Sequence, residues 1–471
     1  MVKLTKGKSG WEAVRLGLVP IGKFVFSHAE ALRQKIIIES CLKKWGINFV
    51  SLDSILPDGL VRDQKHVKPV VEFLSRKNLD AVFLPHCNFG TEHAAGQIAQ
   101  QLGLPVLLWG ARDQAPLPDG TRARDTLCGL FATSKVLHRL GVKFTYIQNC
   151  HIEEPSFKQG LFRFLSAAWV NRKFRSLRIG FLGTRIDFFW TTIINEGELL
   201  EKFGIEILPL DMVCFLDAVL KQARTKRSLY LKEIKLLKQR FDLSCFTDQE
   251  PLLNLLSLRD HLLGLSEKEN LSCFAIQSFL SLAEKLGAGM ELAAAMVSDE
   301  GIPIACESDI HGAISAVILQ AASLEKEPIF LADLTVRHPR DNQAVLLWHT
   351  FTPLSMIDPE VKPKISDFWI LKNLPRGSCY WRMKPGRLTV LRFDGDRGNY
   401  SLICGQGKTI DGPYTCDAYG WMKVKNWSCW EKSFIEGPYI HHVAVNYGWH
   451  RDVVAEAIKY LPGNISFQQL D

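Results

Sequence analysis

Short apolar runs alternate with helix-length stretches over the first third of the chain, and that alternation limits the fold more than any other feature. Val14 to Ile21, Ile47 to Leu52, Ala81 to Pro85, Pro105 to Trp109 and Phe144 to Ile147 read as strands. Ala29 to Trp45, Lys68 to Ser75, Gly90 to Leu102 and Thr126 to Leu140 read as the helices between them. Strands separated by helices of this length predict a parallel, doubly wound sheet. A second α/β unit begins near Leu177, with strands Ile205 to Leu210 and Leu271 to Gln277. Phe215 to Lys238 reads as one long charged helix with a solvated face. After Pro328 the pattern becomes β-like, and DGDRGN (394–399) is a hairpin signal. The final Val453 to Tyr460 reads as a terminal helix. The expected class is α/β, with two doubly wound Rossmann-like α/β domains (1–170 and 171–350) and a C-terminal β-rich domain (351–471).

Apolar residues make up 47% of the 471, enough for a large core and too many for a disordered chain. The net charge of +7 comes from 57 basic and 50 acidic residues. That excess is too small to argue for nucleic acid, and it mildly favours an anionic substrate. Twelve cysteines are scattered with no C-x-x-C pair, which speaks against structural zinc and for a reducing compartment. The N-terminus has no sustained apolar run, and no stretch of about 18 apolar residues predicts a membrane span. The expectation is a cytoplasmic protein without nucleic-acid or membrane partners. GQGKT (405–409) ends like a phosphate loop, but Leu402 stands where its first glycine belongs, and it lies between β runs.

The chemistry gathers around GIPIACESDIHGAISAVIL (301–319). An apolar run ends in Glu307 and Asp309, and an Ala-rich helical pattern follows. Asp309 suits a helix cap. Two acids at the end of a strand also suit a metal site, since strand ends open into the ligand crevice of an α/β sheet. Glu291 and Asp333 are further acids in comparable settings, and His311, His338, His349, His441 and His442 are the histidines. Carboxylate with imidazole suits Mn²⁺, Mg²⁺ or Fe²⁺ better than thiolate chemistry. His441 and His442 are adjacent on an expected strand, so only one of them can face a given side. The loop HCNFGTEHAAGQ brings His86, Asn88, Gly90 and Glu92 to another strand end, where turn chemistry and ligand binding are both open readings.

Several spaced motifs, NFGTEHAAGQIAQQLGLPVLLWGARDQ, GTRARDTLCGLFATSKVL, ACESDIHGA, VLLWHT and GPYIHHVAVNYG, resemble the L-fucose isomerase/L-arabinose isomerase superfamily in this order. The resemblance spans about Arg15 to Leu461 and is nearest to the L-fucose isomerase-like proteins. It implies an aldose–ketose isomerase of L-fucose, L-arabinose or D-arabinose type, using Mn²⁺ or another divalent cation such as Mg²⁺, Fe²⁺ or Co²⁺. One ligand pattern implies Glu291, Asp309 and His441; the other implies Glu307, Asp333, His349 and His441. Glu291 and Asp309 are then ligands and acid/base groups, with Glu307 as substitute. His349 and Trp348 are expected on the sugar. Asn88 and Glu92 are expected to complete a neighbour's site in a trimer or hexamer. A cation on O1 and O2 would polarise the carbonyl and stabilise the developing enediolate. Two alternatives stay open: a non-catalytic sugar-binding protein, and an epimerase or lyase on the same scaffold.

Overall fold

The structure, a computed structural model, describes residues 10–370 and 372–471. The first nine residues of the expected N-terminal domain lie outside the described residues. The chain forms two compact units. One holds residues up to 172 together with 455–460; the other holds 173–454 and 461–471.

The first unit contains β1 (Arg15–Leu18), β2 (Asn48–Val50), β3 (Ala81–His86), β4 (Val106–Gly110) and β5 (Phe144–Tyr146). Every pairing is parallel and the order is β2-β1-β3-β4-β5. β3 and β4 are buried on both faces, which explains why they read as unbroken apolar runs. The strand order reverses between β1 and β3, where doubly wound sheets open a crevice. There the Asn88 amide donates to the carbonyls of Lys23 and Ser27. It thus ties the loop after β3 to the loop after β1.

The second unit holds two sheets. The parallel one contains β6 (Arg178–Leu182), β7 (Glu206–Leu210), β8 (Cys273–Ile276) and β9 (Ile304–Ala305), in the order β7-β6-β8-β9. The expected long helix is two, Met212–Thr225 and Arg227–Arg240. The break at Lys226 lets Tyr230 turn inward, where its hydroxyl donates to Asp260 at 3.0 Å. Phe215, Leu216 and Val219 on the first piece are buried, so this face packs where a solvated one was expected.

The other sheet contains β10 (Phe330–Arg337), β11 (Ala344–His349), β12 (Lys364–Ser366), β13 (Ser378–Arg382), β14 (Arg387–Asp396), β15 (Asn399–Ile410), β16 (Ala418–Lys423), β17 (His442–Tyr447) and β18 (Ile465–Gln469). β10 and β11 belong to it, so this sheet begins at Phe330, ahead of the expected boundary at 350/351. β16 pairs with both β11 and β15, which closes six strands into a barrel. Closure leaves those strands without an open edge. The barrel interior is apolar, with Phe330, Val345, Leu347, Val390, Ile403, Met422, Val443 and Val445 in one cluster. The hairpin read from DGDRGN joins β14 to β15 through Arg397 and Gly398, both at positive φ as a tight two-residue turn requires. The last helix is Arg451–Ala457, and β18 follows it where no strand was expected.

Trp430 is fully buried against Gly405 of β15, where an added Cβ would stand 2.2 Å from the indole. Trp430→Ala is expected to lower stability by about 3–5 kcal/mol. The check is the guanidinium unfolding midpoint of the variant beside the wild type.

Candidate metal centre

β9 ends at Ala305, and the helix Ile310–Ala322 starts five residues later. Two consecutive residues between them, Glu307 and Ser308, are left-handed, with φ of 60° and 58°. Neither is glycine, so each costs on the order of 1–3 kcal/mol of backbone strain. Neighbouring bonds hold the turn: Ser308 N donates to Ile276 O at 3.1 Å, and Asp309 N donates to Cys306 O at 3.1 Å. The tight reversal sets Glu307 and Asp309 at the strand's carboxyl end, as the sequence pattern predicts.

Asp309 caps the helix, its Oδ1 accepting from Gly312 N at 2.8 Å. The same carboxylate takes both Nη atoms of Arg392 and, on Oδ2, His442 Nδ1 at 3.0 Å. Asp309 and Arg392 are fully buried. Burial alone would raise the Asp309 carboxyl, but Arg392 and His442 outweigh it and hold the group far below the usual carboxylate range. Asp309, expected as a metal ligand and acid/base group, is engaged by protein donors in this structure. Its oxygens are already occupied by four donors, and a carboxylate held this strongly ionised does not take up a proton.

The atoms left for an ion lie on the far side of His442. Nε2 stands 3.1 Å from Glu307 Oε2 and 3.7 Å from Asp333 Oδ1. Asp333 and His442 are direct cross-strand neighbours on β10 and β17, which places both on one face. Next along the chain, Val443 and Val445 turn into the barrel instead. His442 Nε2 and Asp333 Oδ1 are buried without a hydrogen-bond partner, although Glu307 approaches the nitrogen. Ligand atoms of Asp333, His441 and His442 lie within 4.8 Å of one another. His441 precedes the strand, in a bend, so strand alternation does not separate it from His442, and the two rings are 4.4 Å apart. His442 is almost wholly buried and His441 half exposed. Burial opposes charge on His442, yet Asp309 and Glu307 outweigh it and push its pKa up to about 10.

Residues 17–175 match the family of fucose/sulfoquinovose isomerase N-terminal domains, and residues 360–468 match that of L-fucose isomerase C-terminal domains. The chain belongs to the L-fucose isomerase-like family. Its enzyme class is that of the aldose–ketose isomerases. Sulfoquinovose isomerase of Alkalicoccus urumqiensis is 23% identical over 71% of this chain and 73% of its own. Those of Priestia aryabhattai and Priestia megaterium are each 22% identical over 91% of this chain and 94% of theirs.

Beside the acidic cluster, this isomerase carries a second histidine of opposite polarity. Thr350 N donates to His349 Nδ1 at 2.8 Å, so the proton of the neutral His349 ring sits on Nε2. His349 is thus a donor to an oxygen through Nε2, whereas His442 donates from Nδ1 to Asp309 and turns Nε2 towards Glu307 and Asp333. Trp348 stacks beside His349, its indole N–H fixed on Cys416 O at 2.8 Å, and half-exposed Trp369 meets it edge-on at 6.2 Å. Asp417, held by Ser378 Oγ, lies within the field of His349.

Glu291 stands outside the group of ligand atoms. It is fully buried, and neither carboxyl oxygen has a hydrogen-bond partner. Burial pushes its pKa up to about 8. His311 is bonded to Asp394 at 2.9 Å, and His338 packs against Trp421, so neither joins the cluster. In the first unit Asn88 is buried, and its side chain is used entirely on backbone groups. Glu92 pairs with Lys23 at 3.3 Å. His86 bonds Phe89 O at 2.6 Å and is fully buried. Sequence reasoning missed Arg392, Asp394 and Asp417. A signal existed for the first two: charged residues two apart in the apolar run RLTVLRFDGD share a strand face. Asp417 carries no comparable signal.

Glu291 makes stability depend on pH. Its folded pKa lies above the unfolded value of 4.5, so the native state binds more protons between about 4.5 and 8, and stability falls as pH rises through that window. Glu291→Gln removes this term. The variant is expected to gain on the order of a few kcal/mol on the wild type by pH 8, but not at pH 4.5. Urea unfolding at pH 5, 7 and 8.5 measures the difference.

Proposed function

We propose that this protein is a divalent-metal-dependent aldose–ketose isomerase that moves a proton between C1 and C2 of a sugar through an enediolate. The observation that carries the reading is the convergence of Glu307, Asp333 and His442 around unpartnered buried atoms. These three residues would hold the cation, with His441 at the exposed side. Oxygen and imidazole donors fit Mn²⁺ first, and also Mg²⁺, Fe²⁺ or Co²⁺. The bound cation supplies polarisation of the carbonyl and stabilisation of charge on the two sugar oxygens.

Glu307 is the base. Burial raises its carboxyl, but His442 pulls it below the ordinary value, so it is ionised at neutral pH. Its strained backbone aims it into the cluster. Glu291, neutral up to about pH 8, keeps a proton in a dry setting and can donate one to a sugar oxygen. His349 Nε2–H holds a hydroxyl or the carbonyl, and the Trp348 and Trp369 rings offer an apolar face to the sugar. The positive net charge is compatible with an anionic sugar, and the curated relatives' name puts sulfoquinovose first among candidates, ahead of L-fucose and the arabinoses. A cytoplasmic homo-oligomer, trimeric or hexameric, with Asn88 and Glu92 near a neighbour's site, belongs to the same proposal. Among the described residues no helix is long and apolar enough to cross a membrane.

Purified protein loaded with Mn²⁺ is expected to retain about one ion per chain. Glu307→Gln, Asp333→Asn and His442→Gln are each expected to release it. Ketose formation, followed by NMR on sulfoquinovose, L-fucose, L-arabinose and D-arabinose, should fall about 10²–10⁴-fold in Glu307→Gln. Wild type that takes up no divalent cation under any loading condition overturns the proposal.

A further inference from the structure

A row of hydrogen-bonded polar side chains lies behind the cluster: His311, Asp394, Arg392, Asp309, His442. His311 Nδ1 meets Asp394 Oδ1 at 2.9 Å, and Arg392 Nε donates to Asp394 Oδ2 at 2.9 Å. Arg392 then clamps Asp309 with both Nη atoms, and Asp309 Oδ2 meets His442 Nδ1 at 3.0 Å. None of these side chains is more than 9% exposed, and Arg392 and Asp309 are at 0%. Three elements meet in the row: the helix Ile310–Ala322, β14 and β17. Phe393 N donates to Ser315 Oγ at 2.8 Å, which locks the strand carrying Arg392 to that helix.

Net stability does not explain such a row. A fully buried ion pair is often no better than apolar side chains of the same volume. Its geometry has a directional result instead. Asp309 Oδ2 can only accept, so His442 must place a proton on Nδ1. Nε2, the other ring nitrogen, then faces Glu307 and Asp333.

We propose that Asp309, clamped by Arg392, is a positioning residue that fixes His442 in its Nδ1–H form, with Nε2 free to bind a divalent cation. The inference rests on the metal reading above. Arg392 neutralises Asp309, so this carboxylate does not compete as a ligand. It also fixes the rotamer from which Asp309 reaches both Gly312 N and the imidazole. Asp309→Asn separates these tasks. Asn caps a helix as well as Asp does, but its amide N–H₂ now faces Arg392 or His442 and favours the wrong imidazole tautomer. The same carboxylate-to-amide exchange beside a catalytic histidine disables serine proteases in this way.

The test is Mn²⁺ titration calorimetry on wild type and Asp309→Asn at one pH, with circular dichroism for folding. ¹⁵N-imidazole spectra of the wild type loaded with Cd²⁺ accompany it, and His442→Gln assigns the signal. Binding about 10–100-fold weaker in folded Asp309→Asn is expected, with a protonated Nδ1 and a cation-bound Nε2 for His442 in the wild type. Wild-type affinity in the variant, or a cation on Nδ1, overturns the inference while leaving the metal reading intact. If Asp309→Asn does not fold, the wild-type spectrum decides alone. Wild type that takes up neither ion overturns the metal reading, and this inference with it.

Discussion

One buried carboxylate, Asp309, accepts from the helix Ile310–Ala322, from the guanidinium of Arg392 on β14 and from the imidazole of His442 on β17. Helix, strand and histidine come from positions far apart in sequence, and this group bonds to all three. The parallel sheet supplies the chain reversal at Glu307 and Ser308, and the barrel supplies Asp333 and His442 as cross-strand neighbours. Left-handed backbone at two consecutive non-glycine residues persists because the surroundings over-determine it.

Acidic groups dominate the cluster and the row behind it. Asp309 and Asp394 bond the buried guanidinium of Arg392, and Glu307 and Asp333 approach His442. In a low-dielectric interior such an excess of negative charge is costly. His442 relieves part of it by holding a proton to about pH 10, and a divalent ion at its Nε2 would relieve more. The two site histidines differ because their fixed neighbours differ. A carboxylate oxygen accepts from Nδ1 of His442, and a backbone N–H donating to Nδ1 of His349 leaves that ring's proton on Nε2. One ring is thereby suited to a metal and the other to a sugar oxygen.

The layering of the fold was legible because strand and helix periods differ and the alternation is regular. The barrel's strands were legible too, but its closure was not. Nothing local in β16 tells that it pairs on one side with β11 and on the other with β15. At the site, the acids after β9 stood out as a pair, yet their division of labour depends on Arg392, eighty-three residues from Asp309 in sequence. A lone arginine in an apolar strand does not announce its partner. The pair His441–His442 was legible as a candidate, while its side of the sheet depended on where β17 begins. A shift of one residue in a strand boundary reverses that assignment. Glu291 looked like a ligand by its resemblance. Its buried, unpartnered carboxyl and its place outside the cluster became visible only from packing.

The central claim is that Glu307, Asp333 and His442 surround one divalent cation and that Asp309 does not touch it. The most direct measurement is the anomalous scattering of Mn²⁺ in crystals of the metal-loaded protein. The account predicts a single peak within about 2.0–2.4 Å of Glu307, Asp333 and His442 Nε2, with Asp309 still bonded to Arg392 and to His442 Nδ1. A peak bonded to Asp309, or one at Glu291 in place of Glu307, would contradict it.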